Sequence, residues 1–462
     1  MNSSTVHAVV VGGGLAGLAT ALFLGRRGYQ VTVVERDGHL PAGGSDAVFS
    51  AWPRPGVPQG GHPHNFLGRS VRILREEAPD VFDTLIARGA LAIPLDLGEG
   101  PGDAVICARR PVFESIIRQA AQAEPTVAIR TGVTVTGILA QPGEVPVVTG
   151  VVTSTGEAIR GDLVVDAAGR RSPIPGLLST HSTRPTVTIS QDCGLMYISR
   201  YYRLRAGRDY PKLDTPIMAV FGWARAMAFP ADNGTFALLA TITAQDPLRR
   251  TLCTEDGFGR FHAAVPTIAP WIHAGQPISR LRTMARLENR YRRLVGTDGP
   301  IVGGLVLLGD SALHTNPTAG RGTSLAFAQA QHLAATLGNA ADPASYTADF
   351  DAWTGTNIGA WYRPQAQADA SLARRMQAAV DGKFSPPPEP MERLRLAIFS
   401  ASRTTAPVAL PLRRMIHLVA LPEDVIGNEA VRVELGALLA ARPELTAPAA
   451  GPTREEIAAR AR

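Results

Sequence analysis

Residues 8–17 read Ala8-Val9-Val10-Val11-Gly12-Gly13-Gly14-Leu15-Ala16-Gly17, and this stretch decides the fold. The short β-branched run predicts a buried parallel strand. A GxGxxG turn follows at Gly12, Gly14 and Gly17. Leu18, Ala19, Ala21, Leu22 and Leu24 then repeat at helical spacing, closed by Gly25 and Gly28. Val31-Thr32-Val33-Val34 predicts a second strand that ends in Glu35, with Arg36 beside it. Each part has a physical task. Gly12 makes the tight turn, Gly14 lets the backbone approach a pyrophosphate, and Gly17 lets the helix pack on the strand. The helix start at Leu15 and Ala16 offers unpaired N–H groups and the positive end of its dipole to phosphate. Glu35 can accept hydrogen bonds from ribose hydroxyls. The plain alternative is a glycine-rich structural turn, but strand, helix and acidic strand end all meet the dinucleotide requirement. The motif does not separate FAD from NAD.

A distant segment does. Gly304-Leu305-Val306-Leu307-Leu308-Gly309-Asp310 reads as a strand ending in Gly-Asp, followed by Ser311-Ala312-Leu313-His314-Thr315-Asn316-Pro317-Thr318-Ala319-Gly320-Arg321-Gly322 and an Ala-rich helix. Asp310 can hold a ribityl hydroxyl, and Gly320 and Gly322 let the backbone lie against a ring system. The following helix aims its N–H groups at the pyrimidine edge of a flavin. The alternative is a strand–loop–helix with Asp310 as an N-cap. From Gly309 to Gly322 the pattern resembles GDAxHxxxPxxGxG of the flavoprotein monooxygenases of the para-hydroxybenzoate hydroxylase fold. Ser311 replaces the alanine, Leu313 stands at the histidine position, and His314 comes one residue later.

That resemblance implies FAD and an α/β fold. Its parts are a Rossmann-like FAD-binding domain of the glutathione reductase type 2 class, an inserted antiparallel-sheet substrate domain and a helical C-terminal region. Three further segments carry it. Cys107-Ala108-Arg109-Arg110-Pro111-Val112-Phe113-Glu114 looks like the Arg-x-x-Leu-Glu helix start, which gives Arg110 the cofactor contact, with Arg109 as the competing assignment. Thr131-Gly132-Val133-Thr134-Val135 looks like the strand whose backbone meets the adenine. Asp166-Ala167-Ala168-Gly169-Arg170-Arg171-Ser172 resembles a D-A-x-G-x-x-S segment near the cofactor, with Asp166 open between that role and a structural strand end.

Gly56-Val57-Pro58-Gln59-Gly60-Gly61-His62-Pro63-His64 resembles the GVPQxxHxH of bacterial polyether epoxidases such as those for lasalocid and monensin. Their NPxxGQGM loop corresponds to Asn316 through Thr323, with Arg321 for glutamine and Thr323 for methionine. Pro317 and Arg321 are therefore the candidates at the flavin's reactive locus. Arg321 can stabilise an anionic flavin, bind an acidic substrate or point to solvent. His62 and His64 form no metal site on their own. They can pin the loop by hydrogen bonds or serve structure alone, and no metal is expected.

The expected domains are 1–75, 101–180 and 296–345 for FAD, 76–100 and 181–295 for the substrate sheet, and 346–462 for the helical tail. Strand-like alternation marks Thr186–Arg205, Ala224–Pro230 and Thr235–Thr243. Its aromatics Tyr201, Trp223 and Phe229, with His62, are the substrate candidates, against the alternative of sheet packing. Asp381-Gly382 and Ser385-Pro386-Pro387-Pro388 mark a linker.

Composition narrows the function. The 462 residues are 45% hydrophobic and 19% charged, with net charge +6 scattered over arginines, so no nucleic-acid partner is expected. The lysines are Lys212 and Lys383. Cys107, Cys193 and Cys253 form no disulfide framework, which fits a cytoplasmic protein. No run of about 18 or more apolar residues is free of charges, so no membrane contact is expected. One dinucleotide loop implies that NAD(P)H binds transiently or that a partner flavin reductase supplies electrons. The resemblance implies a monooxygenase that uses O2, through a flavin C4a-hydroperoxide, to epoxidise or hydroxylate a small apolar natural-product intermediate. The alternatives are a dehydrogenase or reductase of the same fold, and a flavin-dependent halogenase, whose tryptophan-type WxWxIP stretch is absent.

Overall fold

The computed structural model describes residues 6–98, 102–182, 184–213, 217–339, 342–383, 390–446 and 451–459. Strand β1 (His7–Val11) is buried on both faces. Ala8 and Val10 join one apolar cluster, and Val9 and Val11 join another across the sheet. Such two-sided burial is what an unbroken apolar run serves in a parallel strand. Helix α1 (Leu15–Gly25) leads to β2 (Gln30–Glu35). Helices α2 (Gly68–Glu77), α3 (Pro79–Ala87) and α4 (Arg110–Ala123) follow, then β3 (Val127–Thr131). A small antiparallel sheet spans 135–160 before β4 (Leu163–Asp166).

The middle of the chain forms an antiparallel sheet from β5 (Leu195–Leu204), β6 (Ile217–Val220), β7 (Arg225–Pro230) and β8 (Thr235–Thr243), in the order β6-β7-β8-β5. Alternation decides its faces. Met196, Ile198 and Tyr202 of β5 pack outward with Phe236, Phe258, Phe261 and Trp271. Tyr197 packs inward with Met227 and Leu239. The stretch 187–192 leaves this sheet and pairs instead with β9 (Glu288–Arg293).

Strand β10 (Leu305–Leu307) completes the parallel sheet, in the order β10-β4-β1-β2-β3. Helix α5 (Gly322–Thr336) packs on α1, and α6 (Pro343–Asn357), α7 (Tyr362–Val380), α8 (Pro390–Ala401) and α9 (Ala409–Ile416) follow. The architecture is thus a Rossmann-like α/β domain with an antiparallel-sheet domain and a helical C-terminal region.

Two placements differ from the expected boundaries. Helix α3 puts Val81, Phe82 and Leu85 into the same cluster as Leu22 and Phe327, so residues 79–87 belong with the dinucleotide domain rather than with the substrate sheet. The tail divides as well. Ile398, Leu412 and Met415 join that first core, whereas 451–459 return to the sheet. There Trp223 Nε1 donates to Pro452 O at 3.1 Å and Arg454 pairs with the buried Asp246 at 2.7 Å. The expected linker at Ser385–Pro388 lies outside the described residues. Among the described residues no helix is long and apolar enough to cross a membrane.

Candidate functional site

A cavity of about 1580 Å³ begins at the turn after β1 and continues to the inner face of the antiparallel sheet. At the first end the backbone sets the geometry. Gly12 has φ +108°, and a Cβ there would meet Ala167 O at 2.5 Å. A Cβ on Gly17 would stand 1.9 Å from Gly12 O, so the helix rests directly on the turn. A Cβ on Gly14 would meet nothing within 4 Å and would project into open space on the cavity wall. Leu15 and Ala16 open α1 on the same wall, with Glu35, Arg36 and Val135 opposite. The buried Glu35 accepts the N–H of Gly13 at 2.6 Å and of Asp37 at 2.8 Å. It is thereby fixed as an acceptor for hydroxyls.

Arg54, which no motif marks, sits buried behind this end. It pairs with Glu114 at 2.7 Å, Asp37 at 3.3 Å and Glu35 at 3.6 Å, and donates to Gly13 O at 3.0 Å. The two competing arginines separate. Arg109 is 1% exposed and locked on Asp232, with Nη2 2.5 Å from Oδ2 and its N–H on Oδ1 at 2.7 Å. Arg110 lines the cavity. Asp166 closes a local turn, accepting from Ala168 N at 3.0 Å and Ser172 Oγ at 2.7 Å, and burial raises its carboxyl to about 6. Ser311 explains its own departure from alanine, because its hydroxyl donates to Asp166 O and joins the ends of β4 and β10.

At the second end the cavity is lined by His62, His64, Asp310, His314, Pro317, Gly320, Arg321 and Gly322. Gly320 takes φ +66°, which turns the loop into α5. Burial pushes Asp310 up, but His314, 3.2 Å away, and Arg110 and Arg170 outweigh it, so the carboxyl is held low. Burial keeps His62 neutral down to about 4, assisted by Arg282, and His64 down to about 3, assisted by Arg110. His62 faces Ser199 Oγ at 2.9 Å, and its carbonyl accepts from Tyr201 at 3.2 Å and lies 2.9 Å from His64 Nδ1. Arg321 does not point to solvent. It lies 4.8 Å over the Trp361 ring and donates to Gln365 at 2.9 Å.

The substrate candidates divide. His62 and Phe229 line the cavity, together with Tyr197, Met218, Arg225, Met227, Leu239 and Met284. Tyr201 points the same way but is covered, packing on Phe49 at 4.9 Å and holding the His62 carbonyl. Trp223 is on the outer face, against Phe261. The turn between β6 and β7 carries it away from the cavity. Sequence reading also missed the wall from Ile398, Phe399, Met415 and Ile426. It missed Asp369, a buried carboxylate on the cavity wall.

FAD fits what is present. The volume exceeds the roughly 300–1,000 Å³ of a site for one small molecule. Gly14 leaves room for a pyrophosphate. Asn65 Oδ1 and His314 Nε2, both on the cavity wall, are buried without a protein partner. The first N–H groups of α5, at Gly322 and Thr323, have no intrahelical acceptor. Leu15, Ala16, Glu35 and Arg36 would hold the adenosine diphosphate half, and Arg110, Asp310, Pro317, Gly320 and Gly322 the flavin half.

Comparison with known proteins agrees. Residues 7–100 match the family model of FAD dependent oxidoreductases. The chain is 28% identical over 368 residues to Protein Rv3254 of Mycobacterium tuberculosis, covering 71% of this chain and 72% of that protein. PqsL, named as a probable FAD-dependent monooxygenase from Pseudomonas aeruginosa, superposes with TM-score 0.60 at 17% identity, over 82% of this chain and 100% of that one. The flavin-dependent brominase Bmp2 gives TM-score 0.63 at 15% identity, over 96% of this chain and 100% of that one. The likeness to these two structures is one of fold. With that fold, the matched N-terminal unit and both halves of a cofactor cradle on one cavity, the chain is an FAD-dependent oxidoreductase.

Proposed function

We propose that the chain is a monooxygenase that epoxidises or hydroxylates a small apolar organic molecule. The observation that carries this reading is the continuity of the cavity. From Pro317 and Gly320 it runs to a face lined by Met218, Met227, Phe229, Leu239 and Met284. Such a face binds apolar carbon by area and excludes water from the reacting atoms. FAD, when bound, supplies the redox chemistry, with electrons from NAD(P)H or a partner flavin reductase and O2 as co-substrate. The chain's own residues orient and shield. His62 and His64 stay neutral above about 4 and 3, so neither donates a proton readily near neutral pH. Arg321 keeps a permanent positive charge near the loop. The neighbouring brominase raises a halogenase reading. Against it, tryptophan-type halogenases carry a lysine near the substrate, whereas Lys212 and Lys383 are exposed and neither lines the cavity.

The test is stopped-flow spectroscopy. Anaerobically reduced holoprotein is mixed with oxygenated buffer. The expected outcome is a transient absorbing between the reduced and oxidised flavin spectra, with a lifetime shortened by an added alkene. Reoxidation in one step under every condition would replace this reading by a dehydrogenase or reductase. Decay that responds to bromide or chloride instead would favour the halogenase.

A further inference from the structure

Asp369 of α7 is 2% exposed and lines the cavity beside the flavin-facing loop. Its two oxygens accept from three side-chain amides. Oδ1 takes Asn316 Nδ2 at 2.8 Å and Gln365 Nε2 at 2.9 Å, and Oδ2 takes Asn289 Nδ2 at 2.7 Å. A carboxylate has only acceptors, so all three amides must turn their nitrogens inward and their oxygens outward. Each outward oxygen then reaches the loop. Asn316 Oδ1 accepts from Thr318 N at 3.1 Å, Thr318 Oγ1 at 2.9 Å and Tyr197 OH. Asn289 Oδ1 accepts from Asn316 N at 2.8 Å. Gln365 Oε1 accepts from Arg321 Nη1 at 2.9 Å. Burial raises this carboxyl above the usual range, opposed by the Asn289, Gln365 and Asn316 amides and by Arg225. With three donors on its two oxygens it acts as an acceptor. It sets the direction of three hydrogen-bond chains that end on Asn316, Thr318 and Arg321, the two ends and the middle of the turn that carries Pro317 and Gly320.

We infer that Asp369 is the positioning residue that fixes the 316–321 loop for the flavin ring. This rests on the reading that FAD occupies the cavity, but not on oxygenation. No neighbour can take over the role. Flipping Asn316 would break its bonds to Thr318 and Tyr197. Flipping Asn289 would release the Asn316 N–H, and flipping Gln365 would release Arg321. In Asp369→Asn the new amide must face at least one donor with a donor, and the arrangement loses its single solution.

The experiment compares wild type and Asp369→Asn by hydrogen–deuterium exchange and by titration with FAD in the oxidised state, without substrate. The expected result is exchange about tenfold faster in the peptide spanning 316–321, with that of 7–25 unchanged, and an FAD Kd raised about tenfold. The visible circular dichroism of bound flavin should also change at saturating FAD. Unchanged exchange and Kd would overturn the proposal, as would equal acceleration in 7–25, which marks general loosening. Should Asp369→Asn fail to fold, Gln365→Leu cuts the Arg321 chain alone. It should raise the Kd about fivefold with an altered flavin dichroism, and no change would overturn the proposal. Failure of the oxygenation test leaves these readouts intact, so the two readings fail separately.

Discussion

At the dinucleotide end of the cavity the ligand-facing groups are mostly backbone N–H groups and one carboxylate, all delivered by β1, the turn, α1 and the end of β2. At the ring end they are side chains and loop atoms from β5, the 316–321 turn and α7, braced from behind by Asn289 of β9 through the amides around Asp369. The first end is built from contiguous chain and held by close approach of backbone. The second is assembled from segments far apart in sequence and held by hydrogen-bond direction. Damage to the first should therefore be steric and abrupt, and damage to the second graded.

The largest effect expected is at Gly17. Gly17→Ala places a methyl 1.9 Å from Gly12 O, a backbone atom that cannot rotate away. The chain should yield no FAD-loaded protein on purification, read by the flavin absorbance per protein. Gly14→Ala sharpens the point three residues away. Its methyl meets nothing within 4 Å, so the thermal midpoint of the apoprotein should hold within about 2 °C. Yet the methyl enters the space reserved for the pyrophosphate, and the FAD Kd should rise about a hundredfold, or about 2.8 kcal/mol. A Gly14→Ala protein that binds FAD like wild type would mean that the cofactor lies elsewhere.

The same contrast explains what the sequence discloses. Gly12, Gly14, Gly17 and Glu35 announce themselves because backbone approach demands glycine at fixed spacing. The Gly309–Gly322 pattern is legible for the same reason. Asp369 carries no such mark. It stands in an Ala- and Arg-rich helix where a carboxylate is ordinarily solvated, and its partners Asn289 and Asn316 are 80 and 53 residues away. Arg54 is equally silent, since a buried arginine is defined by carboxylates that only the fold assembles. That Arg109 is locked away while Arg110 faces the cavity depends on Asp232, from the turn after β7, which the local motif does not disclose. Trp223 was misplaced because alternation fixes the faces of strands, not of the turns that join them.

Acid should find the ring end before the dinucleotide end. His62 and His64 are depressed to about 4 and about 3, mainly by burial, whereas an unfolded histidine titrates near 6.5. Below about pH 6.5 the unfolded chain therefore takes up protons that the folded chain refuses, and stability falls with pH. Each such histidine contributes about 1.4 kcal/mol per pH unit between 6.5 and its folded value. His262 and His417, both near 4, act in the same direction. Asp166, raised to about 6, opposes them by favouring its protonated folded form below that value. His62→Gln should flatten the denaturation midpoint against pH by close to one proton between pH 6.5 and 4.5. An unaltered slope would mean that His62 is charged in the folded protein.

The smallest effect tests whether the ring end is graded. Tyr197→Phe removes one hydroxyl from the Asn316 amide and leaves the buried ring in place. Asn316 Oδ1 keeps both bonds from Thr318, and Nδ2 keeps Asp369, so the amide retains its direction. The loss should be about 1 kcal/mol, or about fivefold in FAD Kd, well short of the effect at Gly14. Burial raises the Tyr197 hydroxyl well above its usual range, so it remains a neutral donor at any working pH. The deficit of Tyr197→Phe should accordingly be the same at pH 6.5 and pH 9. A deficit that vanishes at the higher pH would mean that the phenol ionises there, and that the loop answers to charge at Tyr197 as well as to the direction imposed by Asp369.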